Sequence, residues 1–214
     1  MIPLRSTGVQ RSFQRALWHR LLSVDEALLL SVRRLECAFM TRLMRTFTHL
    51  GDWASWVVMG LLLAASGAAG GMGLHYAALL GLGATTAVTV SWFLKRLCCR
   101  TRPSTGIVGF AALAEIPDAF SFPSGHTAAA FGVAVALAGE GSGLAALTLV
   151  VACGIALSRV YLGAHYPLDV AAGVLVGAFC GLGARLLLNG ESIAPVLKLL
   201  GYTAISLAFG GFPD

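Results

Sequence analysis

Charged side chains are scarce in this sequence. Only 12% of its residues are Asp, Glu, Lys or Arg, whereas an ordinary soluble domain carries about 25%. Hydrophobic residues make up 57% of the 214 residues, and whole stretches offer no polar surface that could face water. The composition therefore argues against a soluble domain and indicates a single domain embedded in a lipid bilayer.

Several other signals are missing. The five cysteines contain no CxxC pair and are odd in number, so neither a zinc site nor a disulfide framework is indicated. The N-terminus lacks the apolar core and cleavage site of a secretory signal, and we expect no segment to be removed there. The net charge of +5 comes mostly from Arg beside apolar stretches rather than from a soluble basic module. We therefore expect no nucleic-acid partner, and anionic lipid headgroups or a phosphate substrate are favoured.

Six apolar segments follow Asp52, and most of them approach the roughly 20 residues that a helix needs to cross the hydrocarbon layer. Tight, Gly-bearing connections between them are typical of helical hairpins. We therefore predict an all-α fold, a polytopic membrane helix bundle of about six spanning helices within residues 53–214. The predicted segments are Trp53–Gly70, Leu74–Leu94, Ser124–Gly139, Leu144–Ser158, Tyr166–Leu188 and Ala194–Phe209.

Residues 1–52 are predicted to form a basic N-terminal arm. Its segment Val24–Leu50 places apolar residues at helical spacing among charged ones, and each Arg would cost roughly 2.5–3.5 kcal/mol at the centre of a span. An amphipathic helix lying on the membrane surface is therefore favoured over a spanning helix. A helix packed on the protein itself is the alternative. The apolar residues in question are Leu28, Val32, Leu35, Phe39, Leu43 and Phe47.

Polar residues form three short clusters inside the otherwise apolar chain. Because successive helices cross in opposite directions, the parity of the crossings places all three clusters on the membrane face where the arm lies. We therefore expect the clusters to form one site. They are Lys95 with Arg102-Pro103, then Pro123-Ser124-Gly125-His126, then Ser158-Arg159 with His165 and Asp169.

The cationic residues in these clusters suit a phosphoryl group. Lys95, Arg102 and Arg159 can neutralise phosphate oxygens, and a guanidinium matches phosphate bidentately. Any one Arg alone could instead snorkel to the membrane interface. Ser124 and Gly125 are predicted to open a helix, where exposed amides and the helix dipole favour an anion, although a capped membrane helix has the same pattern.

The pair His165 and Asp169 is spaced four residues apart. On a helix the two side chains share a face, so the carboxylate can accept a hydrogen bond from one ring nitrogen and leave the other free to attack. A structural hydrogen bond is the alternative. The remaining histidines, among them His49, match no motif and are predicted to be interfacial or packing residues. Glu115 and Asp118 are predicted to solvate the long loop, with a role in steering substrate as the alternative.

Together these clusters resemble the type 2 phosphatidic acid phosphatase family, which shares its site pattern with vanadium-dependent haloperoxidases. The pattern is Lys, six residues and Arg-Pro; then Pro-Ser-Gly-His; then Ser-Arg, five residues, His, three residues and Asp. Every defined position is present in order, at residues 95–103, 123–126 and 158–169. The resemblance covers roughly residues 52–188 and does not extend to the arm.

The resemblance implies an integral membrane phosphatase that hydrolyses a phosphomonoester or diphosphate of a phospholipid or polyprenyl lipid, with no metal and no cofactor. It implies that His165 is the nucleophile that forms a phosphohistidine, that Asp169 orients it, and that His126 protonates the leaving group. The residues expected to hold the phosphate oxygens are Lys95, Arg102, Ser124, Gly125 and Arg159. A vanadate-dependent haloperoxidase and a catalytically silent scaffold or lipid-binding protein are the alternatives.

The membrane face of the site follows from the arm. Many family members have another spanning helix before the one predicted at Trp53, and their sites face away from the cytoplasm. We expect that helix to be missing here, so that the arm, with its eight arginines, and the site share one face. The positive-inside rule then predicts a cytoplasmic site in a plasma or inner membrane.

Overall fold

The computed structural model of the chain describes residues 8–67, 71–116 and 118–190. Within these ranges the fold is all-helical, with a single isolated β-bridge between Thr101 and Phe120. The prediction of an all-α fold is confirmed. The helices are α1 (Gly8–Arg33), α2 (Ala38–Leu50), α3 (Trp53–Ser66), α4 (Met72–Cys98), α5 (Pro103–Gly106), α6 (Gly125–Ala136), α7 (Ser142–Tyr161) and α8 (Pro167–Asn189).

Among the described residues, three helices are long and apolar enough to cross a membrane: α4, α7 from Gly143 onwards, and α8. Helices α3 and α6 are apolar but shorter. The predicted sixth segment, Ala194–Phe209, lies outside the described residues. Helix α6 is shorter than predicted, and its 12 residues correspond to about 18 Å against a hydrocarbon layer of about 30 Å. Eight of those 12 residues are buried, so neighbouring helices rather than lipid surround α6.

Helix α6 lies between α4 and α8 at close backbone approach. A Cβ atom added at Gly177 of α8 would lie 2.4 Å from the Ala128 carbonyl oxygen, and one added at Gly181 would lie 2.3 Å from the Gly132 carbonyl oxygen. On the other side, a Cβ atom at Gly83 of α4 would lie 2.7 Å from the same Gly132 oxygen. Small residues allow such contacts, which provide the van der Waals packing between membrane helices.

Large apolar side chains cover the outer faces of the bundle. Polar groups are rare on these faces, so water is a poor solvent for them and lipid is the natural one. The exposed residues include Leu61, Leu62, Leu74, Phe93, Leu147, Val150, Leu157, Leu175, Phe179 and Leu187.

The described part of the arm contains two helices, so the prediction of one helix over Val24–Leu50 is wrong. Helix α1 ends at Arg33 and α2 begins at Ala38. Tyr161, at the end of α7, contacts the chain where α1 and α2 are separated. Its hydroxyl accepts a hydrogen bond from the Cys37 N–H at 3.2 Å and lies 3.1 Å from Thr41 Oγ1. This contact fixes the start of α2 on the bundle.

The arm packs on the bundle through a partly polar face. Asp25 and Thr48 are buried together with Leu29 and Met44. Three of the six residues in the predicted apolar stripe, Leu28, Leu35 and Phe39, are exposed instead. The alternative of a helix packed on the protein therefore describes the arm better, and its remaining exposed apolar residues face outward.

Candidate active site

The connection between α4 and α6 brings two predicted cations to one carboxylate. Lys95, in the last turn of α4, donates to Asp118 Oδ2 at 2.7 Å, and Arg102 donates to Asp118 Oδ1 at 2.5 Å. Arg102 also donates to the carbonyl oxygens of Asp118 and Ala164. Burial raises the pKa of Asp118, but its bonds to Lys95 and Arg102 outweigh burial and hold the pKa below its usual value. Asp118 therefore does more than solvate the loop, since it spaces the two cations.

Arg159 lies in the last turn of α7 and is 3% exposed. One of its terminal nitrogens donates to Oγ1 of Thr48, from the arm. Its Nε is buried and has no hydrogen-bond partner among the described residues. A buried guanidinium with an unused N–H group is ready to bind an anionic oxygen.

His165 lies in the turn between α7 and α8 and is 1% exposed. Its backbone N–H donates to the Arg159 carbonyl at 3.2 Å, and its Nε2 lies 3.4 Å from an Arg102 guanidinium nitrogen. Burial, followed by the positive charges of Arg159 and Arg102, holds the pKa of His165 well below its usual value. His165 is therefore a neutral imidazole at neutral pH.

Asp169 stands beside His165, although not on one helical face as the sequence suggested. Helix α8 begins at Pro167, after His165, and Asp169 accepts the N–H of Tyr166 at 2.9 Å in a capping box. Oδ2 of Asp169 is 3.7 Å from His165 Nδ1, and this nitrogen has no hydrogen-bond partner among the described residues. Catalytic hydrogen bonds are often this long before substrate binds.

Two residues that the sequence did not single out complete the surroundings of Asp169. Arg100 donates to Asp169 Oδ1 and to Asp25 Oδ2, both at 2.6 Å, and its guanidinium lies 4.2 Å from the Tyr166 ring centroid. Asp25 also accepts the Leu168 N–H at 2.8 Å. Arg100 falls among the undefined positions of the first motif and Asp25 falls in the arm, so the motif pattern indicates neither.

The second motif opens α6 beside the same group. Ser124 is fully buried, accepts a hydrogen bond from Thr127 Oγ1, and donates its backbone N–H to the Asp169 carbonyl at 3.0 Å. A Cβ atom at Gly125 would have no atom within 4 Å, so there is room for a ligand to approach the first turn of α6. His126 follows, and its Nε2 lies 2.9 Å from Asp52 Oδ1.

A cavity of about 440 Å³ opens onto His126 and Arg159. Its size falls within the roughly 300–1,000 Å³ of small-molecule sites. The arm provides much of its wall, which the sequence did not predict. The lining residues are Arg45, Thr48, His49, Asp52, Leu113, Ala114, Glu115, His126 and Arg159. The structure thus brings the three motif clusters together, with the arm over them.

The chain is similar to known proteins. The family model of the PAP2 superfamily matches residues 75–192. Decaprenylphosphoryl-5-phosphoribose phosphatase of Mycobacterium tuberculosis is 41% identical over 101 residues, which are 47% of this chain and 55% of that protein. Lipid A 4'-phosphatase of Bacteroides thetaiotaomicron is 30% identical over 169 residues, which are 75% of each chain. The chain thus spans about half the length of the first of these relatives.

A solved structure agrees with the fold. The transmembrane PAP2-type phosphatidylglycerolphosphate phosphatase of Bacillus subtilis superposes with a TM-score of 0.64 at 26% identity, over 80% of this chain and 85% of that one. Together with the spanning helices, this likeness identifies the chain as an integral membrane protein. The resemblance inferred from the three motifs is confirmed, and the chain belongs to the PAP2 superfamily.

Proposed function

We propose that this chain is an integral membrane phosphatase that hydrolyses a phosphomonoester or diphosphate of a lipid. One observation carries the proposal: the imidazole of His165 lies against the guanidinium of Arg102, next to Arg159 and Asp169. A nucleophile surrounded by cations matches a phosphoryl group, whose negative charge the cations neutralise. Relatives named as phosphatases of lipid phosphates favour this reaction over the haloperoxidase and scaffold alternatives.

In the first step, Nε2 of His165 attacks the phosphorus atom. Nε2 is the attacking nitrogen because Nδ1 faces the Asp169 carboxylate, which stabilises the positive charge that the ring gains. The bond between phosphorus and the leaving oxygen breaks, and His126 gives that oxygen a proton. The products are a phosphohistidine and the free lipid alcohol, or a lipid monophosphate where the substrate is a diphosphate.

In the second step, water attacks the phosphohistidine. His126, now neutral, takes a proton from the water, the bond between phosphorus and His165 Nε2 breaks, and inorganic phosphate leaves. Lys95, Arg102 and Arg159 hold the equatorial oxygens through both steps. Gly125 adds a backbone N–H group at the start of α6, whereas the Ser124 N–H is already bonded to the Asp169 carbonyl oxygen.

The substrate class follows from the surroundings of the site. The outer faces of the bundle are apolar, so a lipid tail can remain in the bilayer while its phosphate reaches the cavity at His126 and Arg159. The two relatives are named as phosphatases of decaprenylphosphoryl-5-phosphoribose and of lipid A, and the structural neighbour is named as a phosphatase of phosphatidylglycerol phosphate. The substrates to compare are therefore polyprenyl phosphates and diphosphates, a polyprenyl-linked sugar phosphate, phosphatidic acid and phosphatidylglycerol phosphate.

The activity is tested by measuring phosphate release from these lipids in detergent, with a metal chelator present. We expect release from at least one lipid phosphate and no effect of the chelator, because side-chain cations neutralise the phosphate. Failure of all of these lipids to release phosphate would contradict the proposal.

The cytoplasmic face is the proposed side of the site. The arm, with its eight arginines, forms part of the cavity wall, and the positive-inside rule favours the cytoplasm for arginine-rich segments. Val108 is fully exposed in the α5–α6 connection, on the site's side, whereas Met72 starts α4 at its other end. In a cysteine-free background, Met72→Cys should react with an impermeant thiol reagent added to intact cells, and Val108→Cys should not. The reverse pattern would place the site outside the cytoplasm.

A further inference from the structure

Asp52 joins the arm to the proposed acid of the reaction. It lies between α2 and α3, outside the three motifs, and uses both carboxylate oxygens. Oδ1 lies 2.9 Å from His126 Nε2, and Oδ2 lies 3.0 Å from His49 Nδ1. Gly51 lets the chain approach this closely, since a Cβ atom there would lie 3.1 Å from the His126 ring.

The contact decides which nitrogen of His126 can act. Burial raises the pKa of the Asp52 carboxyl, but its bonds with His49 and His126 outweigh burial and hold the pKa below its usual value. Asp52 is therefore ionised near neutral pH, and its Oδ1 accepts a hydrogen bond that the Nε2–H of His126 donates. The other ring nitrogen, Nδ1, is then the one that presents a proton to a leaving oxygen.

The charge of Asp52 also suits an acid in this cavity. Arg159 lines the same cavity as His126, and its positive charge opposes protonation of the imidazole. Asp52 is in hydrogen-bond contact with that ring, and its negative charge favours the protonated ring, which opposes part of the effect of the guanidinium. His49 on the other oxygen keeps the carboxylate in place and is itself mostly exposed, with 73% of its side chain accessible.

We propose that Asp52 is a positioning residue for leaving-group protonation, holding His126 with Nε2–H toward the arm and Nδ1–H toward the leaving oxygen. This inference rests on the proposed phosphatase function. As the bond between phosphorus and oxygen breaks, the Nδ1 proton passes to that oxygen, and the neutral ring keeps its Nε2 hydrogen bond to Asp52. The arm thus contributes to the chemistry as well as to the cavity wall.

The test compares two substrates that differ in how much the leaving oxygen needs a proton. One is dodecyl phosphate, whose alkoxide is a poor leaving group. The other is a nitrophenyl phosphate bearing a dodecyl chain, whose phenolate leaves without protonation. The value of kcat/KM for each is measured in detergent for the unmodified chain, for Asp52→Asn, and for Glu26→Gln as a control carboxylate. Glu26 is exposed on α1 and does not line the cavity at His126 and Arg159.

For Asp52→Asn we expect kcat/KM for dodecyl phosphate to fall about 10- to 100-fold, part of the roughly 10²–10⁴ that a general acid contributes. The nitrophenyl substrate should lose less than about threefold, and Glu26→Gln should change neither value. The ratio of the two values is unaffected by the fraction of folded protein, because both substrates report on the same sample. Loss of folding therefore cannot imitate the expected result.

A second variant checks that Asp52 acts through His126. His126→Ala should show the same selective loss on dodecyl phosphate, and adding Asp52→Asn to it should cause little further loss, because the partner is already gone. Equal losses on both substrates, or full additivity of the two changes, would overturn the role of Asp52 while leaving the phosphatase function standing. If the unmodified chain hydrolysed neither substrate, that result would contradict the proposed phosphatase function and therefore also the inference that rests on it.

Discussion

Arg100 donates to Oδ1 of Asp169 at 2.6 Å, so the carboxylate that faces His165 is also paired with a cation. The other end of the Arg100 guanidinium is held by Asp25, a buried residue of the arm. Two ion pairs that share Arg100, one with Asp25 and one with Asp169, therefore connect α1 to the proposed nucleophile. They also keep Asp169 in a fixed orientation, since the Tyr166 N–H holds the second oxygen.

Removing one charge from these two linked ion pairs should destabilise the protein. Asp25→Asn leaves Arg100 with one carboxylate fewer, and breaking a buried ion pair costs about 3–5 kcal/mol. Thermal unfolding in detergent should therefore show a clearly lower Tm, whereas Glu26→Gln, at the exposed neighbouring position, should alter the free energy of unfolding by less than about 0.5 kcal/mol. An unchanged Tm for Asp25→Asn would show that the arm does not depend on this pair.

Arg159→Ala tests the binding of phosphate oxygens. Its guanidinium lines the cavity and has a buried, unused Nε–H, so its loss should lower kcat by about 10²–10³, as for a lost oxyanion donor. Arg96→Ala is the matched control, because Arg96 is exposed on α4 and stacks on Trp92 away from the site. Similar kcat values for the two variants would show that Arg159 does not bind the phosphate oxygens.

The pH dependence of kcat/KM reports the state of His165 in the free enzyme. Protonation blocks attack by the imidazole, so activity is lost as the pH falls through the pKa of His165. Because burial and the nearby cations hold this pKa well below its usual value, the acid limb should lie well below about 6.5, the value of an ordinary histidine.

The Arg159→Gln variant tests the direction in which the nearby cations shift the pKa of His165. Removing a positive charge near His165 favours the imidazolium, so the acid limb should move to higher pH. The measurement is kcat/KM with one lipid phosphate from about pH 4 to about pH 8. An acid limb at the usual histidine value in the unmodified chain, or a downward movement in the variant, would contradict the assigned surroundings of His165.

The glycines of α8 should matter for packing rather than for chemistry. Gly177→Ala places a Cβ atom 2.4 Å from the Ala128 carbonyl oxygen, and overpacking of this kind costs about 1–3 kcal/mol. Gly183→Ala is the control on the same helix, since a Cβ atom there meets nothing within 4 Å. Unfolding in detergent should separate the two variants, and equal stability would mean that α6 and α8 lie farther apart.

The sequence predicted the parts of the site that follow from spacing and from helix direction. Lys95, His126, Arg159 and His165 fall at the ends or starts of apolar segments, so the parity of the crossings was enough to bring them to one face. The start of α6 at Gly125 also agrees with the predicted helix opening.

The sequence pattern did not predict the long-range contacts of the arm. The apolar stripe of Val24–Leu50 predicted a face turned towards the membrane surface or, in the alternative, towards the protein. The face that is buried carries Asp25 and Thr48 instead, which pair with Arg100 and Arg159. A polar residue can be buried when a hydrogen-bonding or oppositely charged partner lies beside it. The spacing of hydrophobic residues contains no information about that partner. Asp52 was missed for the same reason, because its partner His126 lies 74 positions farther along the chain.

The most direct test of the account is phosphate release from the best lipid substrate by the unmodified chain and by His165→Ala, with a chelator present. His75→Ala is the control, because His75 lies near the start of α4, at the other end of the helix from Lys95. We predict that His165→Ala abolishes release while its unfolding in detergent stays near that of the unmodified chain, and that His75→Ala retains release. Undiminished turnover by His165→Ala would contradict the proposed mechanism.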